Sequence, residues 1–301
     1  MKPYAYGVDI GGTTIKVGLF GADGGLLERW ELPTGRVGAQ ILPNLAQWLL
    51  GREIPMEALE GIGVGVPGPV LSDGTVNRCV NLGWGVVPVA RNLSDLLGGV
   101  PVQVLNDANA AVLGELWQGA GRGRENLVLA TLGTGIGGGI VVGGKILSGA
   151  HGAGGEIGHI QVNPRELEYC HCGKRGCLEQ YASATGILRL AKAQGFNAGG
   201  SGTAKEVLDA AKVGDPVAQS VVTEAGSWLG LALSYVACVA DPELILLGGG
   251  VSKAGEVILA PVRAQYRASV FHGAAETEFA LAALGNDAGM YGAVKGILEP
   301  E

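Results

Sequence analysis

The chain opens with short apolar runs that alternate with glycine-rich turns, a pattern typical of β-strands joined by tight connections. Turns at Gly11-Gly12 and at 22–25 separate the first three runs, so the chain is predicted to begin as a β-meander. Stretches with apolar residues at helical spacing follow between the later strands. The predicted strands of this part are 4–10, 15–20, 26–32, 61–66 and 102–105, and the predicted helices are 39–50, 93–97 and 108–118.

A second strand system begins at residue 127 and repeats the order of strand, threonine-containing glycine turn and strand. Strands 140–142 and 145–147 are joined by Gly143-Gly144, which is typical of a two-residue hairpin turn. This echo of the opening predicts two related α/β halves, each starting with a hairpin. The remaining predicted elements are strands 127–132, 244–247 and 279–284 and helices 183–193, 204–212, 216–240 and 290–298.

Composition places the chain among globular proteins. Of its 301 residues, 47% are hydrophobic and 16% are charged, which excludes disorder for most of the chain and allows two domains. The formal net charge of -7 argues against a nucleic-acid partner, because such binders neutralise phosphates with Lys and Arg. The N-terminus has no apolar secretion signal, and the apolar segment 229–240 is too short to span a bilayer. We therefore expect a cytoplasmic protein without a membrane partner.

Glycine is the outlier, with 54 residues, and its abundance creates chance matches to nucleotide-binding motifs. The pattern Gly-x-Gly-x-x-Gly occurs at 133–138 and at 63–68, but neither match leads into a predicted helix, which excludes a Rossmann fingerprint. Residues 139–145 match the start of a P-loop, but Ile146 stands where Ser or Thr must bind magnesium. Both motifs are therefore rejected.

Glycine turns that directly follow strands offer a different kind of phosphate site. Backbone N–H groups of such a turn can point at an anion, and a threonine hydroxyl can donate one more bond. Asp9 precedes the first turn and could hold a hydrated magnesium ion, whereas the alternative is a plain hairpin turn. Three such turns suit a nucleotide bound between two lobes. The turns contain Gly11, Gly12, Thr13 and Thr14, then Gly133, Thr134 and Gly135, and finally Gly248, Gly249 and Gly250.

Three of the five cysteines lie close together, at Cys170, Cys172 and Cys177. With His159 they form a Cys₃His set, which is the ligand count of a closed structural zinc site. One alternative is a surface loop with reduced cysteines. Another is His171 as the fourth ligand, although its place between two cysteines strains the geometry. We expect a zinc ion that contributes stability rather than chemistry.

Three carboxylates stand out by their positions. Asp107 follows Asn106 where a predicted strand ends and a helix begins, so it is either part of an N-cap or a general base at the end of the strand. Glu156 lies among glycines, which favours a constrained ligand loop over a helix surface. Glu179 follows the last clustered cysteine by two residues, so a metal would fix its position. Because carboxylates accept bonds from several hydroxyls, Glu156 and Glu179 are predicted to bind a polyhydroxylated substrate.

At these motifs the chain closely resembles the ROK family of sugar kinases and repressors, and within it the ATP-dependent kinases of glucose. The most specific motif is Cys-x-Cys-Gly-x-x-Gly-Cys-x-Glu at 170–179. The resemblance implies an α/β, two-lobed actin-like ATPase (ribonuclease H-like) fold, with a cleft between the lobes and a zinc-binding loop at 159–177. It also implies a small lobe at 1–107, to which the closing helix 289–301 returns, and a large lobe at 108–288. The other matching segments are 9–14, 66–69, 81–84, 105–109, 132–139, 152–160 and 246–250.

The resemblance also assigns roles by position. It makes Asp107 the base that takes the proton from the 6-hydroxyl of glucose as that oxygen attacks the γ-phosphorus of ATP. His159 would bind Zn²⁺ through one ring nitrogen and the sugar through the other, and Mg²⁺ would accompany ATP. The implied sugar-binding residues are Gly68, Asn81, Asn106, Asp107, Glu156, His159 and Glu179. The implied nucleotide-binding residues are Asp9, Gly11, Gly12, Thr13, Thr14, Thr134 and Gly135 around the phosphates and Gly249 and Gly250 on the adenosine side.

Other functions stay open at this point. A repressor of the same family needs an N-terminal helix-turn-helix, for which a first strand at residue 4 leaves no room. A kinase of the family could act on mannose, fructose, allose or N-acetylmannosamine, and polyphosphate could replace ATP. A catalytically silent sugar sensor is disfavoured by the intact Asp107. The resemblance further implies a homodimer or homotetramer.

Overall fold

The protein is described by a computed structural model that covers residues 2–196 and 202–299. The strands are β1 (Tyr4–Ile10), β2 (Thr14–Gly21), β3 (Leu26–Pro33), β4 (Leu59–Val66), β5 (Thr75–Cys79), β6 (Trp84–Pro88), β7 (Val102–Asn106), β8 (Leu127–Leu132), β9 (Ile136–Val142), β10 (Lys145–Ile146), β11 (Leu244–Gly248) and β12 (Glu278–Leu281). The α-helices are α1 (Ile41–Leu50), α2 (Val89–Leu96), α3 (Asp107–Gln118), α4 (Glu179–Ala182), α5 (Ala184–Ala193), α6 (Ala204–Lys212), α7 (Pro216–Ala240), α8 (Gly249–Ser252), α9 (Glu256–Ser269) and α10 (Ala288–Leu298).

The chain forms two compact units. The first consists of Met1–Gly123, Lys145–Gly154 and Asn286–Glu301, and the second of Arg124–Gly144 and Gly155–Gly285. The first unit therefore extends past residue 107, where the sequence placed the boundary between lobes. The outermost residues of the predicted small lobe and closing helix, namely 1, 300 and 301, lie outside the described part of the chain.

The sheet of the first unit has the order β3-β2-β1-β4-β7. Its hairpin strands β1 and β2 are antiparallel, whereas β4 and β7 run parallel to β1. The closing helix α10 packs closely on α3, because Gly292 lies so near that a side chain there would collide with the Ala110 carbonyl. This packing explains why α3, which follows residue 107, belongs to the first unit.

The sheet strands of the second unit repeat this plan with the order β9-β8-β11-β12. Again the first two strands in sequence, β8 and β9, are antiparallel, and the later strands β11 and β12 are parallel to β8. Helix α7 has the length and apolar composition of a membrane span, but 61% of its most apolar stretch is buried within the structure. Its buried residues include Val221, Leu229 and Leu233, which belong to the hydrophobic core of the second unit.

Most predicted elements are present, with a few differences. The β5–β6 hairpin and helix α9 were not predicted from the sequence. Pro261 lies inside α9, and a proline at such a position normally indicates the end of a helix. The last strand is Glu278–Leu281 rather than 279–284. Strand β9 begins at Ile136, four residues before the predicted start at residue 140, and its glycines pair with β8.

Candidate active site

The junction between β7 and α3 separates the two roles that the sequence left open for Asp107. Asn106 is the N-cap, since its Oδ1 accepts from the backbone N–H groups of Ala108 at 2.9 Å and Asn109 at 3.1 Å. Its Nδ2 donates to the Gly68 carbonyl at 3.1 Å. Asp107 is the exposed first residue of the helix, and its Oδ1 also accepts from the Ala108 N–H at 2.8 Å. Because Asn106 supplies the cap, the carboxylate of Asp107 is not needed for it.

Further predicted residues of the first unit lie near this junction. Gly68 has a φ of +94°, and a side chain there would lie 3.6 Å from Cys79. Burial raises the pKa of the Cys79 thiol, and the nearby charge of Asp107 adds to the effect. Asn81 follows Cys79 by two residues and lies beside Gly12, whose added Cβ would be 3.7 Å from the Asn81 carbonyl oxygen. The structure thus connects the predicted base, the predicted sugar contacts and the first glycine turn within one unit.

The first glycine turn is held through its carbonyl groups. The Gly11 N–H donates to the Thr14 carbonyl at 3.0 Å, and the Thr34 N–H donates to the Thr13 carbonyl at 3.0 Å. The Thr34 hydroxyl donates to the Gly11 carbonyl at 2.6 Å. Gly12 and Thr13 are exposed, so the outer face of the turn is accessible to an anion.

Asp9 lies two residues before Gly11 and has a cationic partner that was not predicted from the sequence. Lys16 Nζ lies 3.4 Å from Asp9 Oδ2 and donates to the Asn286 carbonyl at 2.8 Å. Burial raises the pKa of Asp9 above its usual value, although the charge and hydrogen bond of Lys16 oppose this shift. Oxygen ligands of this kind suit Mg²⁺, which commonly keeps most of its waters and takes one carboxylate. The signal for Lys16 was present in the sequence, because a four-residue turn after Ile10 pairs Asp9 with Lys16 across the hairpin.

The Cys₃His set converges in the second unit. One ligand atom from each of His159, Cys170, Cys172 and Cys177 lies within 4.8 Å of the others. Cys172 Sγ is 3.6 Å from Cys177 Sγ, and Cys170 Sγ is 3.8 Å from His159 Nδ1. Tetrahedral zinc with bonds of about 2.3 Å places neighbouring sulfurs about 3.8 Å apart, so the residues fit this ion.

His159 presents its two ring nitrogens to different groups. Nδ1 points to the cysteines, whereas Nε2 lies 4.0 Å from Glu156 Oε2. Glu179 Oε1 lies 3.6 Å from Nδ1 and accepts a hydrogen bond from the Cys170 thiol at 2.8 Å. Burial raises the pKa of Cys170, and Glu179 raises it further. Glu156, His159 and Glu179 are therefore neighbours. His171 is exposed and outside this group in the part of the chain that the structure describes.

The second glycine turn lies against Glu179 and the start of α5. The Gly133 carbonyl accepts from the Ala184 N–H at 2.8 Å, and the Thr134 carbonyl accepts from the Thr185 hydroxyl at 2.8 Å. A side chain at Gly135 would lie 2.8 Å from Glu179 Oε2. The turn thus lies beside the carboxylate, and a Cβ at Gly135 would require the end of the Glu179 side chain to move.

A cavity of about 510 Å³ in the second unit joins the second and third glycine turns. Thr134 and Gly250 both line it, together with apolar residues and the lysines Lys205, Lys212 and Lys253. Gly249 lies beside Leu132, where its φ of +82° and the nearby backbone exclude other residues. The third turn is not a loop, because Gly249 and Gly250 begin α8. The cavity has a size suited to a nucleoside.

Comparison with known proteins places this geometry in a family. The model described as ROK family matches residues 5–298. The chain is 44% identical over 305 residues to a glucokinase of Halalkalibacterium halodurans, covering 95% of this chain and 92% of that protein. It is 36% identical to a glucokinase of Streptomyces coelicolor over 98% of both chains.

A solved structure agrees with these relatives. The ROK family glucokinase from Streptomyces griseus, determined in complex with glucose and AMPPNP, has a TM-score of 0.80 and 36% sequence identity. The similarity covers 96% of this chain and 97% of that one. These comparisons confirm the predicted α/β, actin-like ATPase fold of the sugar kinases. Since the family model spans almost the whole sequence and the relatives match it end to end, the chain belongs to the ROK family.

Proposed function

We propose that this protein transfers the γ-phosphoryl group of ATP to the 6-hydroxyl of glucose, giving glucose 6-phosphate and ADP. The observation that carries the proposal is the exposed Asp107 carboxylate at the start of α3, in a helix that Asn106 caps. The 44% identity to a glucokinase and the likeness to a glucose-bound kinase structure support the same reaction.

In the proposed mechanism Asp107 accepts the proton of the 6-hydroxyl while that oxygen attacks the γ-phosphorus. A base in this position contributes about 100- to 10,000-fold to the rate. The remaining contribution comes from holding the sugar so that its oxygen is in line with the phosphorus. The residues proposed to hold the sugar hydroxyls are Gly68, Asn81, Asn106, Glu156, His159 and Glu179.

The nucleotide is proposed to bind through the glycine turns. Gly11, Gly12, Thr13 and Thr14 and the turn of Thr134 and Gly135 would contact phosphate oxygens through N–H and hydroxyl groups. Gly249 and Gly250 would line the adenosine side, which the cavity beside Thr134 and Gly250 supports. Asp9 would hold the waters of a magnesium ion, whose charge offsets that of the phosphates.

The metal set has a structural role in this proposal. His159, Cys170, Cys172 and Cys177 would hold zinc, and a closed four-ligand site supplies folding energy and not a reactive position. These four ligands lie between Glu156 and Glu179 in the sequence, so a bound zinc ion would fix the segment on which both carboxylates stand. His159 Nε2 is turned away from the cysteines and towards Glu156, so it can donate to a sugar hydroxyl.

A panel of sugars with ATP in an ADP-coupled assay tests the function. Glucose should give the highest kcat/KM, and a higher value with mannose, fructose or N-acetylmannosamine would contradict the proposal. Polyphosphate in place of ATP should support slower turnover.

We further propose a cytoplasmic enzyme that assembles as a homodimer or homotetramer. Light scattering of the purified protein should give the mass of a dimer or tetramer, and the mass of a monomer would contradict the proposed assembly.

A further inference from the structure

A polar network lies beside α4, outside the residues proposed to bind sugar, nucleotide or metal. The Tyr181 hydroxyl donates to Glu166 Oε2 at 2.5 Å and accepts from Asn163 Nδ2 at 2.9 Å. Arg189 Nη2 lies 2.8 Å from the same Glu166 oxygen, and its guanidinium stacks 4.8 Å from the centre of the Tyr181 ring. The network joins three segments: the 163–168 loop, α4 and α5.

Both carboxylate oxygens of Glu166, at the centre of the network, have hydrogen-bond partners. Oε1 of Glu166 accepts from the backbone N–H groups of Leu167 at 2.9 Å and Glu168 at 3.0 Å. Burial alone would raise the pKa of Glu166, but the bonds from Tyr181, the Glu168 N–H and Arg189 lower it to about 2. The Glu166 carboxylate therefore stays ionised at neutral pH, where it can accept all of these hydrogen bonds.

Helix α4 needs such a clamp because it contains only four residues. One turn of helix is unfavourable by itself, so its position must come from tertiary contacts. Tyr181 packs against Trp228 with ring centres 5.0 Å apart, and the Gln180 carbonyl accepts from Arg189 Nε at 3.1 Å. Glu179 is the first residue of α4, so the contacts that fix this helical turn also fix the backbone of Glu179.

We propose that Glu166, Tyr181 and Arg189, the Glu166 network, position the Glu179 carboxylate for the sugar. This inference rests on the proposed function, in which Glu179 binds a sugar hydroxyl. The network contains none of the four metal ligands, and Cys177 precedes α4. Helix α4 is therefore anchored by the metal set before it and by the Glu166 network at Tyr181, in addition to the hydrogen bond from the Ser183 hydroxyl to the Glu179 carbonyl. Losing the network weakens sugar binding and leaves the metal set intact.

Two conservative variants test this role. Tyr181→Phe removes the hydroxyl and keeps the ring that packs on Trp228, and Glu166→Gln removes the charge at constant size. Each is expected to raise the KM for glucose about 10-fold, because a small displacement of a positioning group has effects of this order, with kcat and the KM for ATP near wild type. Zinc content should stay at one per chain. Arg189→Lys keeps the charge but loses the bond to Gln180, so its glucose KM should lie between those of wild type and Glu166→Gln.

Glu278→Gln serves as the matched control, since Glu278 pairs with Arg124 at 2.7 Å in the same unit. It should leave the glucose KM unchanged. A wild-type glucose KM in Tyr181→Phe and Glu166→Gln would overturn the inference. So would equal rises in the KM for glucose and ATP together with loss of zinc, since that pattern indicates general unfolding of the segment. If the wild type prefers another hexose, the proposed function fails, and the same KM comparison on that hexose still decides the role of the network.

Discussion

The two sheets share a strand plan but hold their candidate functional residues in different ways. In the first unit, Asn106 and Asp107 lie where a strand meets a twelve-residue helix, and backbone hydrogen bonds fix both positions. In the second unit, Glu156, His159 and Glu179 lie on a segment whose only regular pieces are a short 3-10 turn at Ile157–His159 and α4. A regular junction positions a side chain by itself, whereas an irregular segment needs cross-links.

Two sets of side chains supply such cross-links. The Cys₃His set gathers the segment from 159 to 177, and the Glu166 network attaches α4 to α5. The comparison predicts that changes at the first site act on the chemical step, because one carboxylate performs it. Changes at the second site act on sugar binding, because they displace the segment that carries Glu156 and Glu179.

The largest effect is expected for Asp107→Asn. The amide cannot accept the proton of the 6-hydroxyl, so kcat should fall about 100- to 10,000-fold. Asn106 still caps α3, so the melting temperature and the glucose dissociation constant should stay near wild type. Coupled kinetics, calorimetry with glucose and a thermal melt check the three quantities.

Asp95→Asn is the control in the same unit, because Asp95 is an exposed carboxylate of α2 that pairs with Arg91 at 3.8 Å. It should retain wild-type turnover. Near wild-type kcat in Asp107→Asn would remove this residue from the role of base and would leave the first unit without its assigned chemistry.

The next effect concerns the metal set. Cys172→Ser should abolish stoichiometric zinc binding and lower kcat/KM for glucose about 10- to 100-fold, because the segment that carries Glu156 and Glu179 loses a cross-link. Metal analysis and kinetics measure both changes. Chelation of the wild type should reproduce the loss, and added zinc should reverse it.

Cys238→Ser provides the comparison, since Cys238 is an exposed cysteine of α7 outside the cluster. Its zinc content and kinetics should match wild type. A Cys172→Ser protein that lacks zinc but keeps wild-type kcat/KM would show that the segment does not depend on the metal.

The sequence predicted the parts of the molecule that are local along the chain. The Cys₃His ligands and the Asn106-Asp107 junction are short motifs, and the structure brings their atoms together as the motifs imply. Lys16 was missed because its contact with Asp9 depends on hairpin register. The Glu166 network was missed because it joins positions in an irregular loop and two helices, and no periodicity marks such contacts. The unit boundary at Gly123 depends on the packing of α10 against α3, which no local pattern encodes.

Two glycine substitutions compare the turns of the two units. A Cβ at Gly135 would lie 2.8 Å from Glu179 Oε2, so Gly135→Ala should displace Glu179 and raise the KM for glucose about 10-fold. A Cβ at Gly12 would lie 3.7 Å from the Asn81 carbonyl, an ordinary contact, so Gly12→Ala should fold normally and raise mainly the KM for ATP.

Gly85→Ala is the control for both, because Gly85 has no neighbour within 4 Å of an added Cβ. It should leave both KM values unchanged. If Gly135→Ala raised only the KM for ATP, the contact between this turn and Glu179 would have no part in sugar binding.

The smallest effect separates capping from positioning in the second unit. Ser183 caps α5 by accepting from the Gly186 N–H at 3.0 Å, and it also donates to the Glu179 carbonyl at 2.6 Å. Asp215 caps α7 by accepting from the Ala218 N–H at 2.8 Å and has no link to Glu179. Ser183→Ala and Asp215→Ala should each cost about 1 kcal/mol of stability.

Only Ser183→Ala should also raise the KM for glucose, by about 3-fold, which corresponds to the loss of one neutral hydrogen bond that orients Glu179. Thermal melts measure the shared cost, and glucose titrations measure the difference. An equal rise of the glucose KM in both variants would mean that sugar binding follows the overall stability of the unit and not the local anchoring of α4. The contrast between the junction of the first unit and the cross-linked segment of the second unit would then fail.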